Sequence, residues 1–109
     1  MKDLTKMALK FRDDRNWEQF HTPKDLALSL SLEASEVLEN FQWKSSEEAV
    51  KDNLENLKDE IADVMIYSLL LAEKLGIDPE EAIIQKIKKN EQKDPVEKAF
   101  GKSKKYTEL

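Results

Sequence analysis

The 109-residue sequence contains no cysteine, and it has only 2 glycines, 3 prolines and 1 histidine. Without cysteine the chain cannot form disulfides, use a thiolate as a nucleophile or bind a metal through sulfur. The scarcity of glycine and proline argues against a fold with many turns, whereas the abundance of leucine, glutamate, lysine and alanine favours helices. These proportions predict an all-α fold.

The sequence also lacks an extended basic region and a long hydrophobic run. The formal net charge is −5, and the basic residues are scattered except near the C-terminus, so we expect no nucleic acid polymer as a partner. The most apolar stretch, residues 61–72, is too short to span a bilayer and contains Asp63. We therefore expect a cytoplasmic protein that does not bind membranes.

Apolar residues make up 39% of the chain and charged residues 38%. A helical bundle of this size and polarity buries only a thin core by itself. We therefore expect a homo-oligomer, either a dimer or a tetramer, in which the subunits share apolar surface.

Capping signals indicate where helices begin and end. Thr22 and Asp78 each precede a proline and have an acidic residue three positions later, and Ser45 with Glu48 matches a capping box. Gly76 stands where the preceding helix should end. The four predicted helices cover residues 4–15, 23–42, 47–75 and 79–93, with a break in the third near residues 52 and 53. They form one predicted domain, residues 1–94, and the lysine-rich tail, residues 95–109, is expected to be extended and mobile.

Two pairs of acidic residues have the spacing of two-carboxylate clamps. Glu33 and Glu36 are three residues apart on the second helix, and Glu60 and Asp63 are three apart on the third, so each pair projects from one helix face. Positions 33 and 63, and positions 36 and 60, are symmetric about residue 48. An antiparallel hairpin centred there would bring the four carboxylates face to face, because both helices rise equally per residue. An uneven connection between the helices would shift this register.

The surroundings of these acids differ from those of a solvated helix face. Glu33 falls within an apolar stripe, and Asp63 is the only charged residue in the stretch 61–72. Several carboxylates in a low-dielectric site require protons or cations to neutralise them. An all-oxygen cluster suits Mg²⁺, which keeps coordination places for water and phosphate. The residues therefore point to a magnesium site, with Mn²⁺ as a substitute, and to a polyphosphate substrate.

Ion pairs with lysine are an alternative explanation of the same acidic spacing. Glu-x-x-Glu spacings are common in helices, and Lys44, Lys51 or Lys58 would be suitable partners. On sequence pattern alone, the ion pairs and the metal site are equal alternatives. A di-iron site is excluded more firmly, because such sites use Glu-x-x-His pairs and the single histidine, His21, precedes the second helix.

Several short segments accompany the acidic motifs E-A-S-E at 33–36 and E-I-A-D at 60–63. They are N-W-E-Q-F-H at 16–21, F-Q-W-K at 41–44, D-V-M-I-Y at 63–67 and the terminal K-Y-T-E-L. In combination they resemble the all-α NTP pyrophosphatases of the MazG-like family, and most closely the dCTP pyrophosphatase branch. The sequence departs from that pattern at Ala8, where some relatives have histidine, and at residues 93–95, where many have K-Y-P.

The resemblance implies a magnesium-dependent enzyme that hydrolyses dCTP, or a related pyrimidine nucleotide, to the monophosphate and pyrophosphate and so removes unwanted nucleotides. It also implies a four-helix unit that forms dimers or tetramers, with active sites near the subunit interface and completed by the tail. The implied magnesium ligands are Glu33, Glu36, Glu60 and Asp63. The implied substrate-binding residues are Trp17, His21, Trp43, Tyr67, Lys86, Asn90 and Lys105. Taken alone, the two tryptophans are more typical of core packing.

The expected reaction is metal-assisted attack of water at the α-phosphorus, with release of pyrophosphate and no covalent intermediate. The expected catalytic residues are Glu36, as a ligand that also shapes the water site, and its motif partner Glu33. One alternative is a pyrophosphatase that prefers dUTP or accepts nucleoside triphosphates in general. Another is a non-catalytic helical module for nucleotide sensing or oligomerisation, in which the acids are structural.

Overall fold

The computed structural model describes residues 1–101, and this part of the chain contains five α-helices and no strand. The all-α prediction is therefore confirmed. Residues 102–109, which include the predicted phosphate contact Lys105, lie outside the described part. A short 3₁₀ helix at Glu18–Phe20 follows the first α-helix. The α-helices are α1 (Lys2–Asp14), α2 (Pro23–Glu39), α3 (Ser46–Lys74), α4 (Pro79–Lys93) and α5 (Val96–Ala99).

Side-chain caps fix the starts of α2, α3 and α4 at the predicted positions. Thr22 Oγ1 accepts a hydrogen bond from the backbone N–H of Asp25 at 3.1 Å, and Ser45 Oγ accepts one from Glu48 N–H at 3.1 Å. Asp78 Oδ1 accepts hydrogen bonds from the next two free amides of α4, at 3.0 and 3.3 Å. Each cap satisfies backbone donors that have no partner within the helix.

The predicted break in α3 occurs at Asn53, whose φ of −119° and ψ of 17° are not helical. The helix ends at Lys74, and Gly76 follows with a φ of +69°, which glycine adopts without steric cost. The described part of the tail differs from the predicted extended chain, since Val96–Ala99 forms one helical turn. Pro95 precedes this turn, where its missing N–H leaves no helical hydrogen bond unmade.

The chain divides into two compact units, Met1–Ile77 and a second unit that begins at Asp78. Within the first unit, α3 packs against both α1 and α2. None of the described helices is long and apolar enough to cross a membrane. The buried apolar side chains of the described residues are Leu26, Ala49, Leu57, Leu69 and Leu70.

A buried arginine connects α1 to the 3₁₀ helix and to α3. Arg12 is only 7% exposed, and its Nε donates a hydrogen bond to Asp13 Oδ1 at 2.8 Å. Its two terminal nitrogens each lie 3.6 Å from a carboxylate oxygen, one of Glu18 and the other of Glu73. A single guanidinium can serve several carboxylates because it carries five donors in a fixed plane. Arg12 therefore ties together three segments of the first unit.

We expect Arg12→Ala to lower the free energy of unfolding by about 2 kcal/mol, because it removes a charge-assisted hydrogen bond, two ion pairs and a packed side-chain stem. Lys10→Ala is the matched control, since Lys10 lies on the same helix and pairs with Asp14 at 2.7 Å, but its side chain is 76% exposed. That variant should lose less than about 0.5 kcal/mol. Urea unfolding of both variants checks the difference, and equal losses would contradict a structural role for Arg12.

Candidate active site

The antiparallel pairing of α2 and α3 places the acidic residues. Asn40, just after α2, accepts two hydrogen bonds from α3, each at 2.8 Å. Its backbone carbonyl oxygen accepts one from Asn53 Nδ2, and its side-chain Oδ1 accepts one from Asn56 Nδ2. Positions 40 and 56 are symmetric about residue 48, the centre around which the acids were predicted to pair. The side-chain contact therefore has the register on which the predicted carboxylate cluster depends.

Three of the four predicted acids meet in this hairpin. Glu33, Glu36 and Glu60 each offer one carboxylate oxygen to a group whose atoms all lie within 4.8 Å of one another. Asp63 is not in that group; it is half-buried on α3, near enough for its charge to raise the pKa of both Glu33 and Glu60. The structure thus brings three carboxylates together and places the fourth beside them.

The burial of these oxygens would be offset by a bound cation. Glu33 and Glu60 are half-buried, and the Oε2 atom of each is shielded from solvent without a hydrogen-bond partner. A buried carboxylate oxygen without a partner is unfavourable. Ligands of one Mg²⁺ lie at about 2.1 Å from the ion, and so at most about 4.2 Å from each other. Small side-chain movements would convert the observed oxygen spacing into that geometry, and the donor set therefore fits magnesium.

Without a cation, the surroundings of Glu33 and Glu60 raise the pKa of each and so favour its protonated form. Burial raises the pKa of Glu33 from 4.5 to about 7, assisted by a hydrogen bond with Glu36 and by the negative charges of Glu36, Asp63 and Glu60. The pKa of Glu60 is also raised, first by a hydrogen bond with Glu36 and then by burial. Glu36 is therefore the central carboxylate, because it interacts with both of the others.

The MazG-like family model matches residues 28–109, a segment that contains all four acids. The chain belongs to the MazG-like family. A pyrophosphatase from Archaeoglobus fulgidus DSM 4304 has a TM-score of 0.81 and 44% sequence identity, and the match covers 87% of this chain and 92% of that one. The dCTP pyrophosphatase 1 proteins of Mus musculus and Homo sapiens are 37% and 35% identical, each over 100% of this chain and 67% of their own length. These matches confirm the predicted family and the predicted enzyme class, a nucleoside triphosphate pyrophosphohydrolase.

The two tryptophans of this MazG-like protein have different surroundings. Trp17 is 44% exposed, and its ring meets the edge of Phe11 at a centroid distance of 5.8 Å. Trp43 is 93% exposed and has a φ of +63°. That left-handed conformation costs a residue with a side chain about 1–2 kcal/mol. Trp17 therefore contributes to packing, whereas Trp43 presents an open aromatic face.

His21 lines an open cleft of about 550 Å³ at the start of α2. Its Nδ1 is buried without a hydrogen-bond partner, and its pKa is lowered, first by burial and then by the positive charges of Arg12 and Lys74. The ring is therefore neutral near pH 7 and keeps one nitrogen as an acceptor. The sequence analysis did not identify Lys74, because it reaches the cleft from the far end of α3. The cleft is lined by Asn16, Glu18, Gln19, His21, Thr22, Pro23 and Lys74.

The remaining predicted substrate contacts lie on other parts of the chain. Tyr67 is half-buried on α3, one turn beyond Asp63. Lys86 and Asn90 are exposed and one turn apart on α4, in the second compact unit. Their contacts with a nucleotide stay predictions, as does that of Lys105.

The asparagines that join α2 to α3 were not predicted from the sequence. Asn40 is only 6% exposed, and its Nδ2 donates a hydrogen bond to the backbone carbonyl of Glu36 at 3.0 Å. Asn53 and Asn56 lie on α3 in the two turns that precede Glu60. The sequence did contain an indication of this contact, because positions 40 and 56 are symmetric about residue 48, as the acidic pairs are. Two amides, however, do not by themselves distinguish a contact from two solvated side chains.

The raised pKa values predict how pH affects the metal-free protein. A carboxyl group whose pKa is higher in the folded state stabilises the fold below its unfolded pKa, and this contribution is lost as pH rises through the folded value. With a chelator present, we expect the part of the stability that depends on Glu33 to fall between about pH 5 and pH 8. Magnesium should restore it at the upper end of that range. Thermal unfolding across this range, with and without magnesium, measures the effect.

Glu33→Gln is the control for this prediction, because it keeps the shape of the side chain and removes its titration. Without metal, the Tm of the wild type should fall relative to that of Glu33→Gln as pH rises, because only the wild type ionises at this position. A constant difference across the pH range would contradict the assigned burial of Glu33.

Proposed function

We propose that the chain hydrolyses dCTP, or a closely related pyrimidine deoxynucleoside triphosphate, to the monophosphate and pyrophosphate, with magnesium as the cofactor. The observation that carries the proposal is the group of three carboxylates, Glu33, Glu36 and Glu60, with buried and unpaired oxygens on two of them. The mouse and human relatives, which are dCTP pyrophosphatases, support the choice of dCTP.

Glu33, Glu36 and Glu60, with Asp63 beside them, would hold the magnesium, and manganese would substitute because it also prefers oxygen ligands. Bound there, the metal would offset the negative charge of the triphosphate and orient a water molecule. The half-buried position of Glu33 and Glu60 excludes part of the solvent, so their charges act on a bound cation with less screening than they would in water.

Glu36 is the proposed acceptor for the proton of the attacking water, with Glu33 next to it in the same motif. Its carboxylate interacts with both Glu33 and Glu60, and its oxygen lies within 4.8 Å of an oxygen of each. Attack of that water at the α-phosphorus forms a P–O bond, breaks the bond to the bridging oxygen and releases pyrophosphate, which balances the hydrolysis without a covalent intermediate.

The proposed base-binding residues are Trp43, Trp17, His21 and Tyr67. The open face of Trp43 supports stacking on a base, since stacking requires an accessible aromatic ring. The unpaired Nδ1 of His21 supports a hydrogen bond to the nucleotide. Lys86, Asn90 and the tail residue Lys105 are the proposed phosphate contacts, on the strength of the resemblance described above. The proposed role is removal of unwanted nucleotides in the cytoplasm.

Incubation with dCTP should yield dCMP and pyrophosphate only when magnesium is present, because the acidic cluster and the triphosphate repel each other until a metal neutralises them. Glu36→Gln should lower kcat at least about 100-fold, as expected for loss of a metal ligand or base. Phosphorus NMR identifies the products, and dUTP and dATP serve as comparators for base preference.

Glu55→Gln is the matched control, since Glu55 lies on α3, its side chain is 84% exposed, and it pairs with Lys58 away from the cluster. That variant should keep wild-type turnover. Release of dCDP and phosphate would refute the proposed cleavage site, and equal turnover by the Glu36 and Glu55 variants would refute the carboxylate site.

We further propose that the chain acts as a homo-oligomer. One side of α3 carries large apolar side chains that this single chain leaves exposed: Leu54 by 59%, Ile61 by 49% and Met65 by 50%. Their spacings of seven and four residues place them on one helix face. Such a face is stabilised when a second copy covers it.

Light scattering coupled to size exclusion should give a mass that is a multiple of 12.7 kDa. Leu54→Lys should reduce that mass, because it places a charge within the proposed interface. Asp59→Lys changes a residue on a different face of α3 and should leave the mass unaltered. A wild-type protein that elutes as a monomer would contradict the proposal.

A further inference from the structure

We propose that Asn40 and Asn56 are positioning residues, which hold α2 and α3 in the register that the carboxylate cluster requires. The inference rests on the proposed function in that the cluster is taken to bind magnesium. Neither asparagine belongs to the proposed metal ligands or substrate contacts. Their hydrogen bond, from Asn56 Nδ2 to Asn40 Oδ1 at 2.8 Å, is a side-chain contact between the two helices that flank the cluster.

The contact forms the next step of the same antiparallel ladder. Asn40 lies four residues after Glu36 on one side, and Asn56 lies four residues before Glu60 on the other. Because four residues are about one helical turn, the amide pair lies one turn from the carboxylates on both helices. A shift of either helix along its axis would break the amide contact and separate the acids at the same time.

Asn40 is also bonded directly to the backbone that carries Glu36. Its Nδ2 donates to the Glu36 carbonyl oxygen at 3.0 Å, while its own carbonyl oxygen accepts a hydrogen bond from Asn53 Nδ2 at 2.8 Å. Asn53 occupies the break in α3. The hydrogen bonds therefore run without interruption from the last turn of α2 to the turn of α3 that leads to Glu60.

The burial of Asn40 supports a role in fixing the register of the two helices. A buried amide must satisfy its donors and acceptors. Asn40 is 6% exposed, and both atoms of its amide group are paired. A leucine at position 40 would still pack if the two helices shifted slightly along their axes. The Asn40–Asn56 hydrogen bond, in contrast, forms in only one relative position of the helices. A single buried asparagine fixes helix register in coiled coils by the same principle.

The cluster needs such a restraint because its members repel one another. Three carboxylates whose oxygens lie within 4.8 Å favour separation of α2 from α3 until a cation is bound. The hydrogen bonds of Asn40 oppose that separation from one turn away, without placing a competing charge next to the metal. Residues that orient metal ligands in this way commonly contribute about 10- to 100-fold to metal affinity.

Calorimetric titration of the full-length protein with Mg²⁺, without nucleotide, tests the inference. Asn40→Ala and Asn56→Ala should each weaken Mg²⁺ binding about 10- to 100-fold, and the double variant should be little worse than the more affected single variant, because both remove the same contact. In turnover assays at saturating magnesium, kcat should fall while the KM for dCTP stays near wild type. Arg12→Ala serves as the control for lowered stability, since it acts at the other end of α3 and should leave Mg²⁺ affinity unchanged.

A reduced Tm with wild-type Mg²⁺ affinity in both asparagine variants would overturn the inference and leave the amides a purely structural role. Asn56 is exposed, so Asn56→Ala provides the test even where Asn40→Ala does not fold. A wild-type protein that binds no Mg²⁺ would also overturn it. Wild-type binding of Mg²⁺ without hydrolysis of dCTP would instead refute the proposed function, while the affinities of the variants would still decide the role of the asparagines.

Discussion

Repulsion among carboxylates is the constraint that governs the α2–α3 hairpin. Glu33, Glu36 and Glu60 each have one carboxylate oxygen within 4.8 Å of the other two. Like charges at this distance oppose the compact state. Neutral amides join the two helices one turn away, and an ion pair between Lys44 and Asp52 at 2.8 Å closes the hairpin nearer its connection. The local fold thus holds an unfavourable arrangement that a bound cation would relieve.

Protonation and metal binding are therefore alternative ways to neutralise the same site. With its pKa raised to about 7, Glu33 competes for protons at the pH at which it would hold a metal. A cation bound there would displace that proton, so the affinity of the proposed metal site would depend on pH.

The sequence predicts well those features that depend on neighbouring residues. The caps at Thr22, Ser45 and Asp78 are local patterns, and the helices begin where those patterns place them. The acidic cluster required one further assumption, an even connection about residue 48, which the amide contact supports. Features made by residues distant in the chain were not predictable, such as the cleft that brings Lys74 to His21. The left-handed backbone of Trp43 was also missed, because nothing about tryptophan favours a positive φ.

The position of the asparagine contacts has a consequence for how this protein tolerates change in length. The hydrogen bonds of Asn40 to Asn53 and Asn56 lie between the carboxylates and the helix connection, residues 41–45, so a change in the length of that connection does not act directly on the acids. Lengthening a flexible connection is inexpensive, at about 0.6 kcal/mol for each doubling. Insertions and deletions in this segment can therefore accumulate during evolution without moving the acids, and new ligand contacts can arise there while the chemistry is conserved.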